Sequence, residues 1–183
     1  SEDGADPDET QHTVTLTKGY YISKYPITFE QYDKFCEATG REKPKDFNWG
    51  RGKRPVVDVT WNDAQAFCEW LGCRLLTEAE WEYACRAGTT TPFSTGDNVT
   101  TDQANYDGTE PYKDYPEGIY RGRTTEVDEL DNENPWGICD MHGNVYEWCA
   151  DVYDNYPSTA VTDPTGPATG NDRVMRGGSW GHN

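Results

Sequence analysis

The sequence predicts a single loop-rich α+β domain, and three observations carry that prediction. Seven Trp and 12 Tyr stand against only two Met, with a mean hydropathy of -0.96. Such a chain builds its core from aromatic plates and short strands, not from long Leu-rich helices. Eighteen Gly and 11 Pro place much of the backbone in turns and irregular loop. Apolar residues recur at helical spacing in three short segments only and alternate with period two elsewhere. At 183 residues the chain fits one domain and is long enough for a sizeable core.

Residues 1–10 are acidic and contain Pro and Gly with nothing to bury, so they read as a flexible, solvated lead-in to a single domain over 11–183. His12 to Thr17 alternates apolar and hydroxyl side chains, and Tyr20 to Tyr25 follows Gly19, which predicts two strands in hairpin relation. Thr28 caps a helix over 28–39: Gln31 completes a capping box, Phe29, Tyr32, Phe35 and Cys36 share one face, and Gly40 ends it. A charged, Gly-containing loop runs from Arg41 to Arg54, and Pro55 to Val59 reads as a short buried strand. A second helix is predicted over 62–71, with Ala64, Phe67, Cys68 and Leu71 inward and Gly72 at its end. The third, over 77–87, carries the strongest local signal. Thr77 caps, Glu80 reciprocates, Leu76 staples against Trp81, and Gly88 closes it.

Thr89 to Pro135 is a long stretch of Gly, Pro, Asp, Asn, Thr and Tyr, a length that a compact domain tolerates when metal ions order it or it packs over a core. Trp136 to Tyr153 and Arg173 to Trp180 read as short strands and turns. There is no internal repeat and no linker.

The formal net charge of -17 argues against nucleic acid and anionic membrane surfaces as partners, since both reward clusters of Lys and Arg. The acidity serves solubility or supplies hard-cation ligands. No apolar run approaches the ~20 residues of a membrane span. The stretch opening at Ser1 does not have the basic-then-apolar form of a secretory leader, and the missing Met is expected to reflect processing or trimming.

Cys36, Cys68, Cys73, Cys85, Cys139 and Cys149 form no Cys-x-x-Cys pair and lack His at zinc spacing. They read as small buried hydrophobes, with a disulfide framework as the alternative. Trp61, Trp70, Trp81, Trp136 and Trp148 read as core plates before a substrate box. No nucleophile–base pair, Gly-rich phosphate loop or Gly-x-Ser-x-Gly elbow is visible. His12, His142 and His182 read as hydrogen-bonding surface residues. Asp140 and Glu147 enclose Gly143-Asn144, a tight turn that exposes carbonyls; carboxylates plus backbone oxygens suit calcium, which takes six to eight oxygen ligands. A hydrogen-bonded turn is the simpler alternative. The Gly177-Gly178 pair either permits positive φ or forms a platform for a bound ligand.

Several ordered motifs carry a family resemblance: Tyr21-Ile-Ser-Lys-Tyr-Pro-Ile-Thr28, Arg54-Pro-Val-Val-Asp-Val-Thr-Trp61, Arg74 to Gly88, Ala104-Asn-Tyr106, Asn134-Pro-Trp-Gly-Ile138, Gly143-Asn144 with Glu147-Trp148, and Arg173 to Trp180. Together they resemble the formylglycine-generating-enzyme (sulfatase-modifying-factor) family, a divergent branch of the C-type-lectin fold. The chain departs from that pattern at Leu76, where proline is usual. The resemblance implies short helices around small antiparallel sheets. It also implies one calcium at Asp140, the carbonyls of Gly143 and Val145, and Glu147, with Asn144 adjoining. A second calcium site would use Asn105, the Tyr106 carbonyl and groups near Gly118 to Tyr120, although Ile119 stands where an acidic neighbour is expected.

The family splits into copper oxidases and binding modules. The oxidases hold Cu(I) with two thiolates, and soft sulfur is what that ion requires. The resemblance places the first of these at His182 and the second past Asn183. Cys68 and Cys85 match positions that elsewhere bridge to C-terminal cysteines, so either the chain is expected to continue past Asn183 or these thiols are free. The competing branch, the variable proteins of diversity-generating retroelements, displays changing surface residues from the Gly-Gly-Ser-Trp turn onward. The resulting expectation is a non-catalytic module whose surface of Ser179, Trp180, Gly181, His182 and Asn183 binds a protein or glycan. Copper-dependent oxidation of a substrate cysteine to formylglycine is the alternative. A third relation, the lectin-like half of sulfoxide-synthesising iron enzymes, lacks its His-rich partner domain here. A cell-surface or secreted location is expected ahead of a cytoplasmic one.

Overall fold

The structure, a computed structural model, describes residues 10–182. The acidic lead-in therefore lies outside the described residues except for Thr10, as does Asn183 of the expected binding surface. Seven elements follow in order: β1 (Val14–Thr15), α1 (Phe29–Thr39), α2 (Trp61–Leu71), α3 (Glu78–Arg86), β2 (Glu147–Val152), β3 (Val161–Thr162) and β4 (Arg173–Arg176).

All three helices begin the same way. Thr28, Thr60 and Thr77 are extended N-caps whose hydroxyls accept from the amides of Gln31, Asp63 and Glu80, while those three side chains accept from the cap amides in return. Each box satisfies donors that the first turn leaves open. The box at Thr60 starts α2 one residue before the predicted position. Left-handed Gly40 and Gly72 end α1 and α2 as expected, whereas Ala87, not Gly88, takes the left-handed position after α3.

Two hydrophobic clusters result. One joins Trp81, Ala84 and Cys85 of α3 to Cys149 of β2, Val174 of β4, Ile138 and Met141, with Ile22 and Leu76 packed against it. The other joins Tyr32, Phe35 and Cys36 of α1 to Phe67 of α2. Phe29 and Phe35 are fully buried, which stabilises the fold by roughly 1.5–3 kcal/mol for each ring. β2 and β4 pair antiparallel, with Glu147 opposite Arg176, Trp148 opposite Met175 and a register shift before Val152 meets Arg173.

Several expectations are corrected. The hairpin between His12–Thr17 and Tyr20–Tyr25 does not form. Gly19 lacks the positive φ that a tight hairpin turn needs, and β1 pairs instead with β3, in parallel. Asp163 fixes that pairing by accepting from the Thr17 amide at 2.8 Å and hydroxyl at 2.5 Å. Tyr20 is drawn to α3, its hydroxyl donating to the Glu80 carbonyl at 2.6 Å.

Pro55–Val59 is not a strand either. Pro55 makes one isolated bridge to Thr28, and Asp58, at φ 59°, breaks the extended run. Of the five tryptophans read as plates, Trp81 is buried, but Trp70 and Trp136 are 44% and 48% exposed. Leu71, placed inward, is 56% exposed because it lies at the helix end.

The stretch from Thr89 to Pro135 contains no helix or strand and is held by single contacts. Asn134 does most at its end. Its amide donates to the Ala84 carbonyl at 2.7 Å, and its oxygen accepts from the amides of Trp136 and Ile138 at 3.0 and 3.1 Å. One buried side chain thus serves an orphan carbonyl of α3 and shapes the following turn. No helix among the described residues is long and apolar enough to cross a membrane.

Candidate functional site

The turn around Gly143 and the Gly177–Trp180 turn are one structural unit. The Gly143 amide donates to the Gly177 carbonyl at 2.6 Å, and the Trp180 amide donates to the Asn144 carbonyl at 3.0 Å. Glycine at 143 is dictated by space, since a Cβ there would stand 2.5 Å from the Asn105 carbonyl oxygen. Its φ of 75° adds the same demand. Asp140 and Asn144, at φ 57° and 64°, share the left-handed conformation, which Asp and Asn tolerate best among residues with a side chain.

Asn144 and Asn105 are both wholly buried. The Asn144 side-chain oxygen accepts from the Thr125 amide at 2.9 Å and from the Asn105 side chain at 3.2 Å. The Asn105 side chain also donates to the Arg123 carbonyl at 2.9 Å, and its backbone carbonyl accepts from the Asn144 amide at 2.7 Å. Three segments distant in sequence meet at these two amides. The resemblance makes Asn105 a calcium ligand and sets Asn144 beside the other ion; the Gly-Asn turn is the local signal for this knot, and the burial of both amides is not legible in it.

The residues expected to hold calcium lie on the same unit. Asp140 is 3% exposed; one of its oxygens accepts from the Asn132 side chain at 2.7 Å, and the other has no hydrogen-bond partner. Glu147 accepts from the Trp81 indole at 3.0 Å. Burial pushes the Asp140 carboxyl up to about 6, and burial, then the nearby Asp140 charge, pushes Glu147 up to about 7. A buried Asp140 with an orphaned oxygen, on a turn that also supplies carbonyls, fits a hard cation, and half-buried Glu147 is a second carboxylate close enough to feel its charge. Asn105 also has a buried side-chain oxygen without a partner, while Tyr106 donates its hydroxyl to the Val99 carbonyl at 3.0 Å. Among the described residues no group of three His, Cys, Asp or Glu side chains is placed to hold a metal, so any cation here depends on carbonyl and amide oxygens.

At the expected ligand surface, Ser179 is buried and its hydroxyl lies 2.8 Å from His182 Nδ1. Trp180 is half-buried, Gly181 is half-buried and His182 is exposed. The structure adds aromatic rings that the sequence reading missed. Trp49 meets Trp180 edge-on at 5.1 Å, and Phe47 lies 5.4 Å from Trp49. Tyr120 stacks on Trp180 at 6.3 Å, and Tyr146 lies 5.4 Å from the His182 ring. Phe47, Tyr120 and Tyr146 are 50%, 47% and 41% exposed. Four loops build this surface, so nothing local in the sequence announces it.

His142, read as a surface residue, is instead enclosed on one wall of a groove of about 1550 Å³. Its Nε2 accepts from the Ser94 amide at 3.1 Å, with the Ser94 hydroxyl at 3.0 Å and the Cys85 sulfur at 3.9 Å. Burial pushes the imidazole down to about 4 and the Cys85 thiol up to about 12. A neutral imidazole of low basicity beside a protonated thiol is a poor general base and offers no activated nucleophile.

The Sulfatase-modifying factor enzyme 1-like domain family matches residues 1–183. The chain is 34% identical over 207 residues to "Serine/threonine-protein kinase pkn1" of Chlamydia caviae, covering 98% of this chain and 31% of that protein. It is 40% identical over 136 residues to "Formylglycine-generating enzyme" of Mus musculus, covering 71% of this chain and 36% of that one. The chain thus spans about a third of the length of these curated relatives. Among solved structures, "Treponema denticola variable protein 1" superposes with a TM-score of 0.75 at 27% identity, covering 94% of this chain and 77% of that one. The C-type-lectin-like α+β fold follows from these similarities.

Proposed function

Because the chain belongs to the sulfatase-modifying factor enzyme 1-like family, we propose that it is a non-catalytic ligand-binding and display module whose binding surface begins at the Gly177–Trp180 turn. The observation that carries this reading is the aromatic surface of Phe47, Trp49, Tyr120 and Trp180, anchored through Trp180 to the buried Asn105–Asn144 pair. Side chains on loops over a rigid scaffold can change without disturbing the core, and large amphipathic rings suit a protein or glycan partner. The similarity to the Treponema variable protein supports the same reading. The kinase name of the Chlamydia relative stays with that protein, of which this chain matches less than a third.

Calcium belongs to this reading. Asp140, the carbonyls of Gly143 and Val145, and Glu147 would hold one ion, and Asn105 with the Tyr106 carbonyl would contribute to a second. The ion would neutralise these carboxylates and brace the turn that carries Trp180. The orphaned Asp140 oxygen supports this.

The test is capture. The immobilised chain is screened against a glycan array and a displayed protein library, in parallel with a Trp49→Ala/Trp180→Ala double variant of matched melting temperature. Ligands held by the wild type and lost by the variant are expected. Equal binding by both proteins would overturn the assignment of the surface.

The identity to the mouse formylglycine-generating enzyme favours a second reading, copper-dependent oxidation of a substrate cysteine. Five of the six described cysteines are buried, and His182 occupies the position where the resemblance puts a copper thiolate. Incubation with copper, reductant, oxygen and a Cys-x-Pro-x-Arg peptide is expected to give no aldehyde above a no-protein control. Turnover abolished by copper chelation would establish the oxidase instead.

A further inference from the structure

The end of α2 brings two thiols together by backbone geometry alone. Gly72 is left-handed at φ 78°, and its amide donates to the Glu69 carbonyl at 3.2 Å. The next amide, that of Cys73, donates back to the Cys68 carbonyl at 2.9 Å. This pair of bonds is the Schellman closure, in which the residue after the left-handed glycine folds back over the residue whose carbonyl it meets, and their side chains frequently touch. In most helices that contact is apolar; here it is Cys68 against Cys73.

The two thiols differ in access. Cys68 is 9% exposed and Cys73 is exposed. The Cys68 thiol is pushed up to about 12, first by burial and next by the charge and hydrogen bonding of Cys73 beside it. Cys36, Cys85 and Cys149 are packed within the two core clusters.

We propose that Cys68 and Cys73 form a reversible intramolecular disulfide that clips the C-terminal end of α2. The oxidant class is a low-molecular-weight disulfide such as oxidised glutathione. The thiolate of exposed Cys73 attacks one glutathione sulfur; a Cys73–glutathione bond forms, the glutathione disulfide bond breaks, and the first glutathione leaves as thiolate. Cys68 then loses its proton to solvent and attacks the Cys73 sulfur. The Cys68–Cys73 bond forms and the second glutathione leaves, taking up a proton. Two protein thiols are oxidised and one glutathione disulfide is reduced to two thiols. The six-residue loop so closed holds exposed Trp70 and Leu71 in one presentation and prevents α2 from fraying. The resemblance matches Cys68 to a position that bridges to a distant cysteine; the cap geometry gives it a neighbour instead.

The full chain is equilibrated in graded ratios of reduced to oxidised glutathione, then denatured in N-ethylmaleimide so that every remaining thiol is alkylated. Both cysteines fall on the tryptic peptide running from Arg54 to Arg74, since the Arg54–Pro55 bond resists trypsin, so the expected product is that peptide lighter by two hydrogens and carrying no alkyl group. Cleavage after Glu69 should leave its two halves joined. Oxidised wild type is expected to melt several degrees above reduced wild type, with no such shift in Cys73→Ser, an exposed change that leaves the core intact. Wild type that accumulates only the Cys73–glutathione adduct, or that pairs Cys68 with any other cysteine, would overturn the proposal.

Discussion

The Trp180 amide donates to the carbonyl of Asn144 across 3.0 Å, so the ring at the centre of the exposed aromatic surface is fastened to a wholly buried residue. Trp180, which Trp49 and Tyr120 both meet, is thus tied to a polar knot in the interior. Changes inside should be felt outside.

Asn144→Ala removes the acceptor for the Thr125 amide and for the Asn105 side chain. The Thr125 amide is left without a partner and the Asn105 side-chain amide keeps only its bond to the Arg123 carbonyl, at a cost of about 1–3 kcal/mol for each lost bond. We expect an overall loss of roughly 2–4 kcal/mol in urea unfolding. A loss below about 0.5 kcal/mol, the range of a neutral surface change, would show that the knot is not structural.

Two glycines near the site should behave oppositely. Gly143→Ala sets a Cβ 2.5 Å from a backbone oxygen at positive φ, whereas Gly181→Ala meets nothing within 4 Å. The first variant should melt many degrees lower or fail to accumulate folded, and the second should melt with the wild type. Thermal scans of both, at matched concentration, decide the matter.

Calcium at Asp140 and Glu147 would act by mass action on the folded state. At a hundredfold excess over its dissociation constant the gain is about 2.7 kcal/mol. The wild type should therefore melt several degrees higher in calcium than in chelator. Asp140→Asn should abolish that difference while leaving the chelated protein no less stable, because the substitution also removes a buried charge. Identical wild-type midpoints in calcium and chelator would sink the site.

Glu80 predicts a pH dependence. Both its oxygens accept from Arg74 at 2.7 Å, and one also accepts from the Thr77 amide at 2.9 Å. The Arg74 hydrogen bond, against the opposing effect of burial, holds its carboxyl below the usual range. A depressed folded value contributes stability that is present above the unfolded value and lost as pH falls through the folded one. Glu80→Gln should thus cost about 1–2 kcal/mol at pH 7, discounted for the exposure of Arg74. The gap to wild type should close on acidification below the unfolded carboxylate value. A gap that stays constant down to pH 3 would assign the loss to geometry instead of charge.

The three helices were legible in the sequence because their determinants are local. The Thr cap, its partner three residues on and the apolar stripe all lie within one short window, and even where the reading slipped, at the Thr60 cap of α2 and at Ala87 after α3, the error was one residue. The turn at Gly143-Asn144 was legible for the same reason. The strand pairings were not. A two-residue strand such as Val14–Thr15 carries no information about its partner, and its alternation is equally consistent with the hairpin that did not form. Trp70, Leu71 and Trp136 looked like core because burial is a property of neighbours, not of residue type.

What the sequence by itself determined is therefore the set of short elements, their caps and the motifs that place the chain in its family. Only the tertiary structure decided that β1 lies along β3, that Asn105 and Asn144 share two buried hydrogen bonds, and that Phe47, Trp49 and Tyr120 gather round Trp180. The physical reason is range. Helix caps and turns are fixed by hydrogen bonds between residues a few positions apart, whereas these contacts join segments that meet only after the chain has closed on its core.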